Sequence, residues 1–171
     1  MQKYVIYYIY SEGEDMNYDK AMNMDKVEFG NMPPQAFLLG LLSAFDNRFQ
    51  ASAGAFFQDI TWKQFFAIIC IRLCREAPTL NDLSEVMGSS HQNVKQILLK
   101  LEKKGLIEMG TDGKDRRKQR VLLTEQCEEY CERNDAQSRE IISRIFDGVG
   151  EKDLAVTIET IIKMERNVSK L

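Results

Sequence analysis

Histidine is nearly absent from this chain: His91 is the only one in 171 residues. A Ser-His-Asp triad or a multi-histidine metal site therefore has one candidate residue at most. No G-x-G-x-x-G turn, G-x-x-x-x-G-K-[ST] phosphate loop or H-E-x-x-H helix occurs either. With no acid/base or nucleophile constellation to assemble, an enzyme is the least expected class. No apolar stretch reaches the roughly 18 residues that a bilayer span needs, so membrane insertion is not expected. Three Pro and ten Gly, with 44% hydrophobic and 29% charged residues, exclude disordered, collagen-like and disulfide-dense chains. Repeats and low-complexity tracts are lacking too. What remains is one domain, or one compact domain with a short appendage, expected in the cytoplasm and without a cofactor.

The four cysteines form two i,i+4 pairs, Cys70/Cys74 and Cys127/Cys131, and neither is a C-x-x-C motif. On a helix such residues hold their Cβ atoms about 5–6 Å apart. A disulfide wants about 3.5–4.5 Å, so neither pair is expected to close on itself. Two pairs that met would make a four-thiolate zinc site. The plainer expectation is free cysteine packed as a small hydrophobe. Cys127 and Cys131 stay on as candidate redox residues.

The first residues stand apart. Lys3–Tyr10 is a β-branched and aromatic run, followed by the polar, acidic Ser11–Asp15. It lacks the basic flank and small-residue cleavage site of a signal peptide, and an appended strand or arm is expected. Met16, Met22 and Met24 leave room for a natural start downstream. From Pro33-Pro34 the pattern turns helical. Residues 36–49 hold nine apolar side chains in fourteen, including Phe37, Leu38, Leu39, Leu41, Leu42, Phe45 and Phe49. A helix apolar nearly all round needs partners on more than one side, and a second subunit is an obvious one.

Thr61-Trp-Lys-Gln64 has the T-x-x-Q form of a capping box and opens a core helix over about 62–76, stopped by Pro78. A short helix begins at Thr79 and ends at Gly88, and Ser89-Ser90 caps another running to about Lys103. Val94, Ile97, Leu98 and Leu101 form its buried stripe. Two short helices joined by a tight glycine turn make a helix-turn-helix candidate. Past Gly105, strand-like Leu106–Met109 and Gln119–Leu123 flank a polar loop, a hairpin signal. Thr124 caps a long helix to about Phe146, with Cys127, Cys131, Asn134, Ser138, Ile141, Ile142 and Ile145 on one face. Asn134 and Ser138 predict that its middle is only partly buried. After Gly148 and Gly150, a last helix over about 151–169 carries Leu154, Ile158, Ile161 and Ile162 as its stripe.

The net charge of −3 argues against a nucleic-acid partner until it is divided along the chain. Residues 89–120 hold nine Lys and Arg against four Asp and Glu, so this segment is +5 and the other 139 residues carry −8. That is the electrostatic footprint of a DNA-binding module. With the apolar stripe inward, Gln92, Gln96 and Lys103 point outward, and Lys95 and Lys100 sit on the shoulders. Gln pairs well with adenine in the major groove, and Lys reaches guanine acceptors or phosphate. Ser89, Ser90, His91, Gln92, Asn93, Lys95, Gln96 and Lys100 are the candidate DNA-contacting residues, those nearest the helix N-terminus lying closest to the bases. Leu99 also points outward, either to meet thymine methyl groups or simply to face solvent. On the hairpin, Lys114, Arg116, Arg117 and Lys118 cluster where no core requires them, and such an arm can enter the adjacent minor groove.

Three pieces in order carry a resemblance: Thr79-Leu-Asn-Asp-Leu-Ser-Glu-Val-Met-Gly-Ser-Ser90, Leu101-Glu-Lys-Lys-Gly-Leu-Ile107, and Asp115-Arg-Arg-Lys-Gln-Arg-Val-Leu-Leu-Thr124. Over residues of about 34–168 the chain resembles a MarR-family winged-helix transcriptional regulator, with Gln64 at the family's Q-F/W element. Cys127 stands where the family usually has Gly, and the first thirty residues have no counterpart in its pattern. The organic-hydroperoxide-sensing branch carries its reactive cysteine early in the first helix, whereas residues 33–53 contain none.

The resemblance implies a mainly α fold with a small β-hairpin wing: a winged helix-turn-helix with long N- and C-terminal dimerisation helices. The divisions expected are an N-terminal extension (1–32), an N-terminal dimerisation helix (33–58), the winged helix-turn-helix (59–124) and C-terminal dimerisation helices (125–171). It further implies a homodimer on a pseudo-palindromic double-stranded operator, with a small aromatic or anionic effector bound between the dimerisation helices and the DNA lobe. Phe45, Phe49, Trp62, Phe65 and Tyr130 are the pocket candidates. A homodimeric, sequence-specific repressor released by a small ligand is the leading expectation. A thiol- or metal-responsive regulator on the same scaffold, and a winged-helix protein-interaction module without DNA binding, are the alternatives.

Overall fold

The structure is a computed structural model and describes residues 30–57, 59–111 and 119–171, residues 54–56 by backbone alone. The expected strand or arm over residues 3–10 lies outside the described residues. Among the described residues there are six helices and one two-stranded antiparallel hairpin. The helices are α1 (Pro34–Phe56), α2 (Trp62–Leu73), α3 (Leu80–Val86), α4 (His91–Lys103), α5 (Glu125–Ile145) and α6 (Glu151–Val168), and the strands β1 (Ile107–Thr111) and β2 (Gln119–Leu123) stand between α4 and α5. This mainly α architecture with a hairpin is the winged-helix class expected. The chain divides into two compact units, Met1–Trp62 and Lys63–Leu171.

In the first unit, α1 opens with Pro34 at a position where the missing N–H is no loss. It runs past Phe49 to Phe56. Residues 50–56 hold three Ala and no Pro, so nothing in them stops a helix. Leu39 and Phe45 are exposed on it, at 58% and 52%.

The second unit holds its core in the middle of the chain. Ile68, Leu83, Val94, Leu98, Leu101, Ile107 and Val121 are all essentially inaccessible, drawing on α2, α3, α4 and both strands. Helix α2 ends at Leu73 rather than at the expected residue 76, which leaves Cys74 beyond it. The cause lies across the sheet. The Pro78 carbonyl accepts from the Val121 N–H at 2.8 Å and Thr79 bridges to Arg120, so residues 77–79 must be extended. Pro78 also disfavours helix in the residue before it. β1 and β2 pair in the register Ile107↔Leu123, Met109↔Val121 and Thr111↔Gln119. β1 begins one residue later than expected.

On α5 the buried positions are Cys127, Tyr130 and Ile141, with Asn134 and Ser138 half-buried as their polarity suggests. Ile142 and Ile145 depart from expectation: they are exposed at 56% and 37%. The stripe of α6 is likewise uncovered within this chain. Ile158, Ile161 and Ile162 are exposed, Leu154 is half-buried, and no residue of that helix is buried.

Candidate nucleic-acid interface

Helix α3 is short and depends on its start. Thr79 Oγ1 accepts from the Asp82 N–H at 3.2 Å, while the Asp82 carboxylate accepts from the Thr79 N–H at 2.7 Å and from its hydroxyl at 2.8 Å. Two otherwise unpaired N–H groups are thereby satisfied reciprocally. Its end is a left-handed turn at Gly88, φ +58°, with the Ser89 N–H bonded to the Ser84 carbonyl and the Gly88 N–H to that of Glu85. A β-carbon is disfavoured at that φ, so glycine suits the sharp turn into α4. Ser90 then caps α4 through its hydroxyl, which accepts from the Asn93 N–H at 3.3 Å. The same side chain was a candidate DNA contact, and capping leaves its O–H free to donate outward.

The faces of α4 separate as the periodicity demands. Val94, Leu98 and Leu101 are buried and Ile97 is half-buried. His91, Gln92, Asn93, Lys95, Gln96, Lys100 and Lys103 are exposed, Ser90 with them, while Ser89 is half-buried. Leu99 is 46% exposed among these polar neighbours. The helix therefore presents a row of amide and ammonium donors on a rigid rod seated in the core. At its C-terminus, the Leu106 N–H bonds back to the Leu101 carbonyl and the Gly105 N–H to that of Glu102, with Gly105 at φ +71°. This cap feeds the chain directly into β1.

The wing is anchored at its base by contacts that periodicity does not reveal. The Arg120 guanidinium donates to the Ala77 carbonyl at 2.8 Å, 43 residues away in sequence. Arg120, counted in the basic segment, is thus committed to the frame. Thr124 donates its hydroxyl proton to the Gly105 carbonyl and caps α5 by accepting from the Cys127 N–H. Residues 112–118 at the hairpin tip lie outside the described residues, and with them Lys114, Arg116, Arg117 and Lys118.

The aromatic pocket candidates fall in both units. In the first, Phe45 stacks on Phe49, with ring centroids 5.9 Å apart, and Phe49 meets Trp62 edge-on at 4.7 Å. In the second, Phe65 is half-buried and Tyr130 is 5% exposed within α5 packing.

All four cysteines are free thiols. Cys70 and Cys127 are buried, Cys74 and Cys131 half-buried. Burial pushes the Cys127 thiol up to about 12, helped by the neighbouring Cys131. Burial also raises Cys131, although Arg72 and the Cys127 S–H pull the other way. Cys70 is raised by burial and by Cys74. Thiols in such surroundings stay protonated near neutral pH. Arg72 reaches from α2 to ion-pair with Glu128 on α5. Among the described residues, no group of three or more His, Cys, Asp or Glu converges as a metal site, and no helix is long and apolar enough to cross a membrane.

A family model described as the MarR family matches residues 60–118, a stretch running from the residues before α2 to the hairpin tip. Over this segment the chain is similar to the MarR family. Solved structures extend the likeness of fold well beyond it. The chain is similar to a MarR/EmrR family transcriptional regulator from Acinetobacter sp. ADP1, with a TM-score of 0.72 at 17% identity, over 82% of this chain and 100% of that one. It is similar to BpsR of Bordetella bronchiseptica, whose DNA binding is regulated by 6-hydroxynicotinic acid, with a TM-score of 0.68 at 22% identity, over 80% and 98%. MepR of S. aureus, solved as a DNA complex, gives 0.67 at 19% identity, over 81% and 99%. At these identities the shared property is the MarR winged-helix fold.

Proposed function

We propose that this chain is a MarR-family regulator of the cytoplasm, a sequence-specific, double-stranded-DNA-binding transcription factor. It works as a homodimer that represses its target and is released by a small aromatic or anionic ligand. The observation that carries the DNA reading is the outward face of α4. Gln92, Lys95, Gln96 and Lys100 are exposed together on a helix whose opposite side is locked into the core. Paired donors and acceptors on Gln discriminate base edges, and Lys supplies phosphate attraction. Lys114, Arg116, Arg117 and Lys118 on the wing tip would add minor-groove and phosphate contacts. Residues 59–124 would serve as the DNA lobe, and 33–58 and 125–171 as the dimer-forming helices.

Two further points support the reading. The uncovered stripe of Ile158, Ile161 and Ile162 on α6, and the exposed Leu39 and Phe45 on α1, are apolar surfaces that a second copy would cover. BpsR, with the same fold, has its DNA binding regulated by an aromatic acid, which favours a ligand of that class. Phe45, Phe49 and Trp62, whose rings meet within the first unit, are the side chains proposed to receive it, shifting the protein to a conformation that no longer fits the operator.

Genomic-fragment selection followed by footprinting tests the proposal. Expected is a protected pseudo-palindrome bound tightly at low salt and weakly at high salt. Arg116→Ala with Arg117→Ala should weaken that binding and flatten its salt dependence. Absence of any selected fragment would sink the DNA reading and favour a protein-interaction module.

A further inference from the structure

Cys127 and Cys131 stand one turn apart on α5, and their side chains are joined by a hydrogen bond in which Cys127 donates its S–H. Cys127 is wholly buried, while the half-buried Cys131 gives the pair its opening to solvent. From α2, the Arg72 guanidinium lies close enough to act on both sulfurs while ion-pairing with Glu128. The proposed DNA reading employs none of these groups.

We propose that Cys127 and Cys131 form a two-thiolate binding site for a soft monovalent cation of the copper(I) class. Sulfur ligands select soft ions, and copper(I) is the monovalent one that thiolates favour. Zinc in a structural site wants four ligands, and no third His, Cys, Asp or Glu joins the pair among the described residues. Calcium and magnesium want oxygen. Two thiolates around one monovalent ion carry −1, and the Arg72–Glu128 ion pair beside them adds no net charge. On binding, both S–H protons leave to solvent and two S–Cu bonds form, with no change of oxidation state. The raised thiols mean that the empty site is neutral and protonated, a state in which burial beside apolar groups is tolerated. Cys70 and Cys74 do not repeat this arrangement. Helix α2 ends at Leu73, so Cys74 lies beyond the helix that carries Cys70, and the group that acts on Cys70 is Cys74 rather than an arginine.

The test is an anaerobic titration of the full chain with copper(I), in competition with the chromophoric chelator bicinchoninate. The unsubstituted chain and a Cys74→Ser variant should each retain one equivalent. Cys131→Ser should bind at least about 100-fold more weakly while keeping its circular dichroism spectrum. A second readout avoids substitution altogether: bound copper(I) should protect Cys131 from N-ethylmaleimide, scored by peptide mass spectrometry. The proposal is overturned if the chelator strips the unsubstituted chain completely. It is equally overturned if binding survives Cys131→Ser, if it disappears in Cys74→Ser, or if Cys131 alkylates at the same rate with and without copper(I).

Discussion

The Thr124 hydroxyl donates to the Gly105 carbonyl at 2.6 Å and accepts from the Cys127 N–H at 3.1 Å. One side chain thereby fastens the end of α4 to the start of α5, with the wing looping out between them. The Thr124 N–H adds a bond to the Leu106 carbonyl at 3.2 Å. Thr124→Ala removes the cap and leaves the Gly105 carbonyl without its partner. Destabilisation of about 1–2 kcal/mol is expected, read as a lowered urea midpoint with an unchanged slope. Thr124→Ser keeps both bonds and should stay within about 0.5 kcal/mol.

Gly105 faces a double restriction. Its φ is +71°, and an added Cβ would come within 2.6 Å of the Gln126 side-chain oxygen. Gly105→Ala should therefore cost about 1–2 kcal/mol from backbone strain, plus whatever displacing Gln126 adds. The Gln126 amide is the end of a flexible side chain. Gly105→Ala combined with Gln126→Ala should recover the steric part and leave the backbone part. If the double variant is as unstable as Gly105→Ala alone, strain is the whole effect.

On α4, Gln96 and Lys100 are both exposed yet should fail differently. Under the proposed DNA reading, Gln96→Ala should relax preference at one operator position by about 1–3 kcal/mol. Lys100→Ala should weaken binding evenly across sequences and reduce the salt slope by about 1. Binding to operator variants at four salt concentrations separates the two. A Lys100→Ala variant with an unaltered slope would remove that lysine from the phosphate contacts.

Local signals were legible where their physics is local. The stripe Val94, Leu98, Leu101, the caps Thr79, Ser90 and Thr124, and the turn at Gly88 each depend on residues within five positions. Their helices appear where periodicity places them. Long-range contacts were not legible. The early end of α2 follows from Pro78 and Thr79 pairing with β2, some forty residues on, which no window around residue 74 contains. Arg120 read as one more positive charge, and only the fold shows its guanidinium on the Ala77 carbonyl. Arg72 and Glu128, 56 residues apart, gave no sequence signal as a pair. Ile142 and Ile145 fit an apolar face by spacing, but spacing does not say whether anything in the same chain covers that face.

The buried Cys127 thiol makes stability sensitive to alkali. Its ordinary value of 9.0 rises in the folded chain to about 12, first through burial and then through Cys131. Between those values the unfolded chain has lost the proton and the folded chain still holds it. The unfolded state binds fewer protons there, so stability falls as pH rises from about 9 towards 12 and is level below that window. Thermal melts across this range should show the decline, and Cys127→Ala should make it shallower. Equal slopes in both proteins would assign the alkaline loss to other groups.

The apolar stripe of α6 offers the sharpest test of a second copy. Ile158 is 49% and Ile162 44% exposed, so neither side chain supports the core of its own chain. Replacing both with Lys should leave helicity intact if the chain folds alone. In a homodimer the same change would place like charges across a desolvated seam, where each buried, unpaired ammonium is strongly unfavourable. Light scattering should then report a mass falling from twice 19.8 kDa to 19.8 kDa. Operator affinity should fall with it, because one lobe alone reads only one half-site. An unsubstituted chain that already runs at 19.8 kDa at micromolar concentration would exclude the homodimer directly. A double variant that stays dimeric would instead move the seam off this stripe and towards Leu39 and Phe45 of α1, whose exposure is comparable.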